Sequence, residues 1–165
     1  MQVWSIATSP GEAAPKHVGE GDAPAIAPGG DRVAFEKDHR IWIAPIDGSK
    51  PAEPAFFARG SSVSPVRSPD GRSLAFVSDR DDHSFIGIFT DASEPIRYLS
   101  TSTARDDTPL WSEQGREMAF VRQPGTRRHA ALAAGPTAAA VVDPDRRHAR
   151  TSTGTRRSIH NAPAG

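Results

Sequence analysis

The sequence predicts an all-β fold, a partial β-propeller of about three blades of four-stranded antiparallel sheet, followed by a disordered C-terminal tail. Three observations carry this prediction. Residues 24–35 (PAIAPGGDRVAF), 65–76 (PVRSPDGRSLAF) and 109–120 (PLWSEQGREMAF) align without gaps at offsets of 41 and 44 residues. That spacing is the length of one propeller blade, a unit that can bury its faces only against its neighbours. Fifteen prolines and 14 glycines among 165 residues interrupt the chain too often for long helices. The apolar runs between them are short and alternate with polar residues, the period of a strand.

Each element follows in order. Val3-Trp4-Ser5-Ile6 occupies the same place before the first repeat as Ile41-Trp42 does before the second, so it is expected to be the inner part of a blade. In each repeat a proline opens the first strand, and Gly30, Gly71 or Gly115 stands where the chain reverses. A tight hairpin needs positive φ there, which glycine adopts without a Cβ clash. After the turn Val33 and Phe35, Leu74 and Phe76, and Met118 and Phe120 point to one face. Ala34, Ala75 and Ala119 point to the other and are small enough for close stacking of one sheet on the next. The three Ala-Phe strands are therefore expected in separate sheets. Ile41-Trp42-Ile43 and residues 85–89 supply third strands, rich in β-branched and aromatic residues. Residues 55–58 and 96–99 supply outer strands. Asp79-Arg80-Asp81-Asp82 reads as a polar hairpin turn, and Asp106-Asp107 likewise.

The pattern stops after Gly125. A further third strand is due near residue 130 and is not visible there. Residues 126–165 are rich in Ala, Arg, Thr, Pro and Gly, with little apolar periodicity beyond Ala138 to Val142. Such a stretch buries too little surface to offset its ordering entropy. The chain thus divides into a partial propeller, 1–125, and a basic low-complexity tail, 126–165. The formal net charge of zero hides this division. The first part holds 13 Lys and Arg against 18 Asp and Glu, and the tail 7 against 2. The abrupt change in mid-blade suggests a shifted reading frame or a truncated gene as the origin of the tail.

The repeats resemble the WD-like propeller repeat of TolB-type proteins and of the N-terminal propellers of prolyl oligopeptidase and dipeptidyl peptidase IV relatives. Ser68-Pro69-Asp70-Gly71 with Ala75-Phe76-Val77-Ser78-Asp79-Arg80 carries the resemblance best. Pro109-Leu110-Trp111-Ser112 and residues 119–125 resemble the bacterial serine peptidase members. The sequence departs from the pattern at Arg67, which stands where Trp111 stands in the third repeat. The resemblance implies a non-catalytic propeller fragment of a prolyl oligopeptidase-like serine peptidase, gating peptide access to a hydrolase domain. The alternatives to this leading reading are a TolB-type protein-binding propeller with no enzymatic activity and a truncated or frameshifted remnant. The implied partners are the hydrolase domain or remaining blades, and a peptide or protein ligand.

The sequence assigns no catalytic, cofactor-binding or metal residue. A serine peptidase of this kind needs Gly-x-Ser-x-Gly on a strained strand–turn–helix elbow, and no such pentapeptide occurs. The nearest fragment, Arg150-Thr151-Ser152-Thr153-Gly154, lacks the first glycine. The chain alone is therefore expected to be inactive, although the enzyme class implied by the resemblance is a serine-type peptidase. His17, His39, His83, His129, His148 and His160 show no paired metal-ligand spacing and read as solvated loop residues. There is no cysteine, hence no thiolate site and no disulfide. The arginine pairs of the tail lack the aromatic residues that stack on bases, so no nucleic-acid partner is expected. No stretch reaches the ~20 apolar residues of a membrane helix. The first residues read as a strand and not as a signal peptide. Cytoplasm and periplasm both remain open.

Overall fold

The computed structural model describes residues 1–9, 11, 13–125, 138–142 and 150–151. Fourteen strands and no helix are found among them. One complete blade consists of β3 (Asp22–Ile26), β4 (Arg32–Lys37), β5 (Arg40–Pro45) and β6 (Glu53–Pro54), hydrogen-bonded in that order. The next consists of β7 (Ser61–Arg67), β8 (Leu74–Asp79), β9 (Ser84–Phe89) and β10 (Arg97–Leu99), again in sequential antiparallel order. These are called the first and second blades below.

A third blade begins with β11 (Arg105–Trp111) and β12 (Met118–Gln123). It continues with β13 (Ala138–Val142), which pairs antiparallel with β12 from Met118–Val142 to Arg122–Ala138. β14 (Arg150–Thr151) completes it. The third strand expected near residue 130 therefore falls later, on the apolar run at 138–142. Apart from these two strands, the disorder expected of 126–165 lies outside the described residues.

The N-terminal strand β1 (Gln2–Ser5) pairs with β2 (Lys16–Glu20) alone. The sequence reading made β1 the inner part of a blade; it is the outer half. The amide of Gly21 donates to Met1 O, as the amide of Ser62 donates to His39 O one blade later. Met1 thus stands where the start of β5 stands, and β1–β2 match β5–β6. The outer strand expected at 55–58 is not formed there, and the one expected at 96–99 is β10, Arg97–Leu99. β6 covers only Glu53–Pro54, and the following Phe56 turns inward instead.

The sheets stack face to face, and each interface repeats the same scheme. Val3 and Val18 meet Val33, Phe35 and Ala44. Ala34 and Ile41 meet Leu74 and Phe76. Ala75, Val77, Ile86 and Ile88 meet Met118 and Phe120. Phe76 and Phe120 share their clusters with Ala34 and Ala75 of the blade before, and Phe35 lies against Gly19 of the strand pair before it. Fully burying one such ring contributes roughly 2–3 kcal/mol. Between the second and third blades there is also one backbone bridge, Arg105 to Ser84. β10 covers β9 only at residues 86–88, which leaves Ser84 free to make it. Through that bridge β8 and β12 belong to one eight-stranded sheet, which corrects the expectation of three separate sheets; β4 lies in another, and the three Ala-Phe strands do not pair with one another.

The hairpins joining first and second strands are superimposable in their bonding. The amide of Gly30 donates to Ala27 O at 2.8 Å, that of Gly71 to Ser68 O at 2.9 Å and that of Gly115 to Ser112 O at 2.9 Å. The glycine φ values are 70°, 72° and 68°. In the second blade Ser68 Oγ donates to Asp70 Oδ1 at 2.6 Å, and the Ser73 amide donates to Ser68 Oγ at 2.9 Å. A Cβ at Gly71 would meet only Pro28, at an ordinary 3.5 Å. Gly71→Ala is therefore expected to cost about 1–2 kcal/mol from the left-handed backbone alone. Gly71→Asn should cost less. Chemical denaturation of the two variants compares them directly.

A second repeated device was not anticipated. Every inner strand carries a β-bulge, between Asp22 and Ala25, Val63 and Val66, and Asp107 and Leu110. At each bulge a non-glycine residue has positive φ: Ala23 at 47°, Ser64 at 52° and Thr108 at 53°. Each directly precedes the proline that opens the repeat. The bulge bends the strand and sharpens its twist, so successive inner strands can lie side by side.

Candidate functional site

The hairpins joining second and third strands gather at the end of the blades opposite the glycine turns. In the first blade the loop is only Asp38 and His39, with φ of 52° and 58°. Two consecutive left-handed residues make the turn whose twist matches a right-handed strand pair. In the second blade the loop is 80–83, closed by the Arg80 amide donating to His83 O at 2.9 Å. Asp79 Oδ1 accepts the Asp81 amide at 3.0 Å. The polar hairpin read at Asp79–Asp82 is thus the turn observed.

Beside each hairpin runs the connection that enters the inner strand, and a cleft opens between them. The first cleft, of about 620 Å³, is lined chiefly by Glu20, Asp22, Glu36, Lys37, Asp38 and His39. The second, of about 310 Å³, is lined by Arg59, Gly60, Arg80, Asp81, Asp82 and His83. The same position in successive blades therefore differs in character: one cleft is predominantly acidic and the other sets two arginines beside two aspartates.

Charge in the first cleft is crowded. Glu36 stands directly across the strand pair from Asp22. Partial burial, and then the Asp22 carboxylate, push the Glu36 carboxyl above its ordinary 4.5. A raised folded-state pKa means that folding favours the protonated form. The contribution is present below the unfolded pKa and is lost as pH rises through the folded one. Glu36→Gln is expected to stabilise the protein at pH 7 by about 0.5 kcal/mol, the scale of one cross-strand like-charge pair, and to give no gain at pH 4. Urea midpoints at the two pH values measure the difference.

In the second cleft the side chains are held in place. Arg80 donates Nε to Ser78 Oγ at 3.1 Å and Nη2 to Tyr98 Oη at 3.2 Å, with its guanidinium 5.6 Å from the Tyr98 ring. His83 hydrogen-bonds Asp82 and packs on Phe85 at 4.8 Å between ring centres. The bond from His83 holds the Asp82 carboxyl below the usual carboxylate range. Arg105, from the next blade, bonds Asp81 O and approaches Asp79 at 3.6 Å. These contacts present fixed charges, suited to binding. Neither cleft is lined by a serine. Among the described residues no three His, Asp or Glu side chains converge as metal ligands.

The histidines read as loop residues separate accordingly. His39 and His83 lie in the two clefts, whereas His17 lies on β2 with its ring 5.1 Å from Trp4. His129, His148 and His160 fall outside the described residues, as do Ser152 to Gly154 of the serine-containing fragment. The reading of Asp106-Asp107 as a turn is corrected. Asp106 lies in β11, wholly buried, facing Arg122 of β12. The pair is bidentate, Nε to Oδ1 at 2.6 Å and Nη2 to Oδ2 at 2.7 Å. Arg122 also donates to Ser100 O at 2.8 Å. Its bond to Asp106 raises the pKa of the guanidinium further above an already high value.

No protein-family model matches the sequence, and no curated protein does. Solved structures do match. A protein assigned as TolB from Agrobacterium tumefaciens aligns with a TM-score of 0.64 at 19% identity, over 91% of this chain and 59% of its own length. TolB from Acinetobacter baumannii aligns with a TM-score of 0.65 at 16% identity, over 86% of this chain and 35% of its own. The acylaminoacyl peptidase of Pyrococcus horikoshii aligns with a TM-score of 0.58 at 14% identity, over 86% of this chain and 26% of its own. The chain thus spans about six tenths of the length of the first and less of the others. The likeness establishes the fold: these are blades of a TolB-like β-propeller.

Proposed function

We propose that the chain is the non-catalytic propeller portion of a prolyl oligopeptidase-like serine peptidase, where it restricts the access of peptides to a hydrolase domain. The observation that carries this reading is the row of hairpins and connections at one end of the blades. It offers an acidic cleft beside one in which two arginines and two aspartates stand together, and neither is lined by a serine. Such a surface selects extended, charged chains by complementarity. The likeness to an archaeal acylaminoacyl peptidase supports it at the level of fold.

A second reading is a TolB-type propeller that binds a protein with no enzyme attached. The alignment with the Agrobacterium protein over 91% of the chain favours it. Two measurements separate these readings from each other and from error. The purified chain is expected to release no nitroaniline from peptide nitroanilides, and turnover by it would refute both. A Gly-x-Ser-x-Gly segment within the same full-length polypeptide supports the peptidase. A full-length polypeptide without one leaves the binding propeller.

A further inference from the structure

The glycine turns joining first and second strands stand in a row at the end of the blades away from the two clefts, and consecutive turns touch in a repeated way. A Cβ on Gly71 would lie 3.5 Å from Cδ of Pro28, and a Cβ on Gly115 would lie 3.5 Å from Cδ of Pro69. The proline ring of one turn therefore rests against the bare glycine of the next. Gly30 has no such neighbour: nothing among the described residues comes within 4 Å of its Cβ position. Gly71 and Gly115 are half-buried accordingly, and Gly30 is exposed.

The space at Gly30 is a pocket of about 330 Å³ between this turn and the segment joining β1 to β2. Its walls are chiefly Ile6, Ala7, Ala14 and Ile46. Ile6 is 60% exposed, so the pocket is open to solvent. The Ser5 hydroxyl on the wall is already engaged, donating to Ile46 O at 2.6 Å. Lys16 and Asp47 also line the pocket, with opposite charges. A residue entering here meets apolar walls and no free hydroxyl. That favours proline, which carries no amide N–H to satisfy and whose φ is fixed before binding.

We propose that this pocket binds the proline of a turn-forming peptide supplied by a different protein. Its ring would sit on Gly30 as those of Pro28 and Pro69 sit on Gly71 and Gly115. The occupant follows from the two examples within the molecule, Ala27-Pro28-Gly29-Gly30 and Ser68-Pro69-Asp70-Gly71. Both of those prolines are engaged within the row, and the third turn carries Glu113 in the same place. A second copy of the chain therefore has no free proline turn to offer. The site is separate from the clefts at the other end and does not depend on the function proposed for them.

The test is a titration of the full chain with N-acetyl-Ser-Pro-Asp-Gly-amide. Backbone amide shifts of Ile6, Gly30 and Ile46 report binding, and saturable shifts are expected. The same peptide with alanine in place of proline should bind about tenfold more weakly, the effect of two buried methylenes. A norvaline peptide, of similar bulk but with an N–H to satisfy, should also bind more weakly than the proline one. A7W and A14W bring an indole to the pocket from exposed positions and should each abolish saturation. Unchanged amide shifts of β8 and β9 show that each variant is folded. Failure of the proline peptide to saturate overturns the proposal, as does equal binding of the alanine or norvaline peptide. Shifts that persist in both A7W and A14W overturn it too. A sedimentation coefficient that rises with protein concentration, and falls when the peptide is added, assigns the pocket to a second copy and also overturns it.

Discussion

Arg122→Ala is expected to destabilise the protein by about 3–5 kcal/mol, the cost of leaving a buried charge without its partner. Asp106 has no exposed surface, and Arg122 supplies both of its oxygens with donors. Removing the guanidinium strands a carboxylate where water does not reach. Stabilities of small domains are about 5–15 kcal/mol, so a large part of the total is at stake. Arg122→Lys retains the charge and loses the second bond, and should cost less. Replacing both partners by leucine and methionine should recover most of the loss, because the penalty belongs to the unpaired charge and not to the absent pair. Denaturant midpoints for the three variants give the ordering. A shift below about 1 kcal/mol for Arg122→Ala would show that water reaches Asp106, contrary to the packing described.

Phe76→Ala should have an effect of similar size, about 3–5 kcal/mol, for an unrelated reason. The ring is fully buried at the interface of the first two blades, among Ala34, Ile41 and Leu74. Phe56 packs on it at 4.6 Å and reaches Phe89 at 4.8 Å, so removing Phe76 takes one end from a three-ring aromatic series. The space for this ring comes from Gly87, directly opposite on β9. A Cβ on Gly87 would lie 2.4 Å from the Phe76 ring. Gly87→Ala alone is therefore destabilising, whereas Gly87→Ala added to Phe76→Leu should cost less than the two single changes together. A double-mutant cycle measures that coupling. Strict additivity would mean that the ring and the glycine do not share the space.

The glycine turns, the Ala-Phe alternation and the blade spacing were legible because each rests on a local rule. Gly30, Gly71 and Gly115 meet a backbone demand, and Ala34 and Ala75, wholly buried between blades, a steric one. The inner-strand bulges were not legible. Ala23, Ser64 and Thr108 are left-handed without being glycine, and nothing in their side chains announces it. Asp106 was misread because two consecutive aspartates look like a turn. Its partner is 16 residues away and is found only when β11 and β12 are paired. β13 was missed at its true place because alanines are weak strand formers. At the candidate site His39 and His83 were recognised as loop residues. Their gathering into clefts with Glu36 and Arg80 depends on how one sheet stacks on the next, and a local pattern does not contain that.

Phe35, Phe76 and Phe120 each serve a separate junction between adjacent sheets. Cohesion in such an array is a sum of nearest-neighbour couplings with no common centre. Opening should therefore proceed from the flanks inward. Amide protons of β8 and β9, clamped on both sides, should exchange with deuterated solvent last. Those of β1 and β2, with a neighbour on one side only, should exchange early, and loosening Phe35 should hasten them while leaving the opposite flank unmoved.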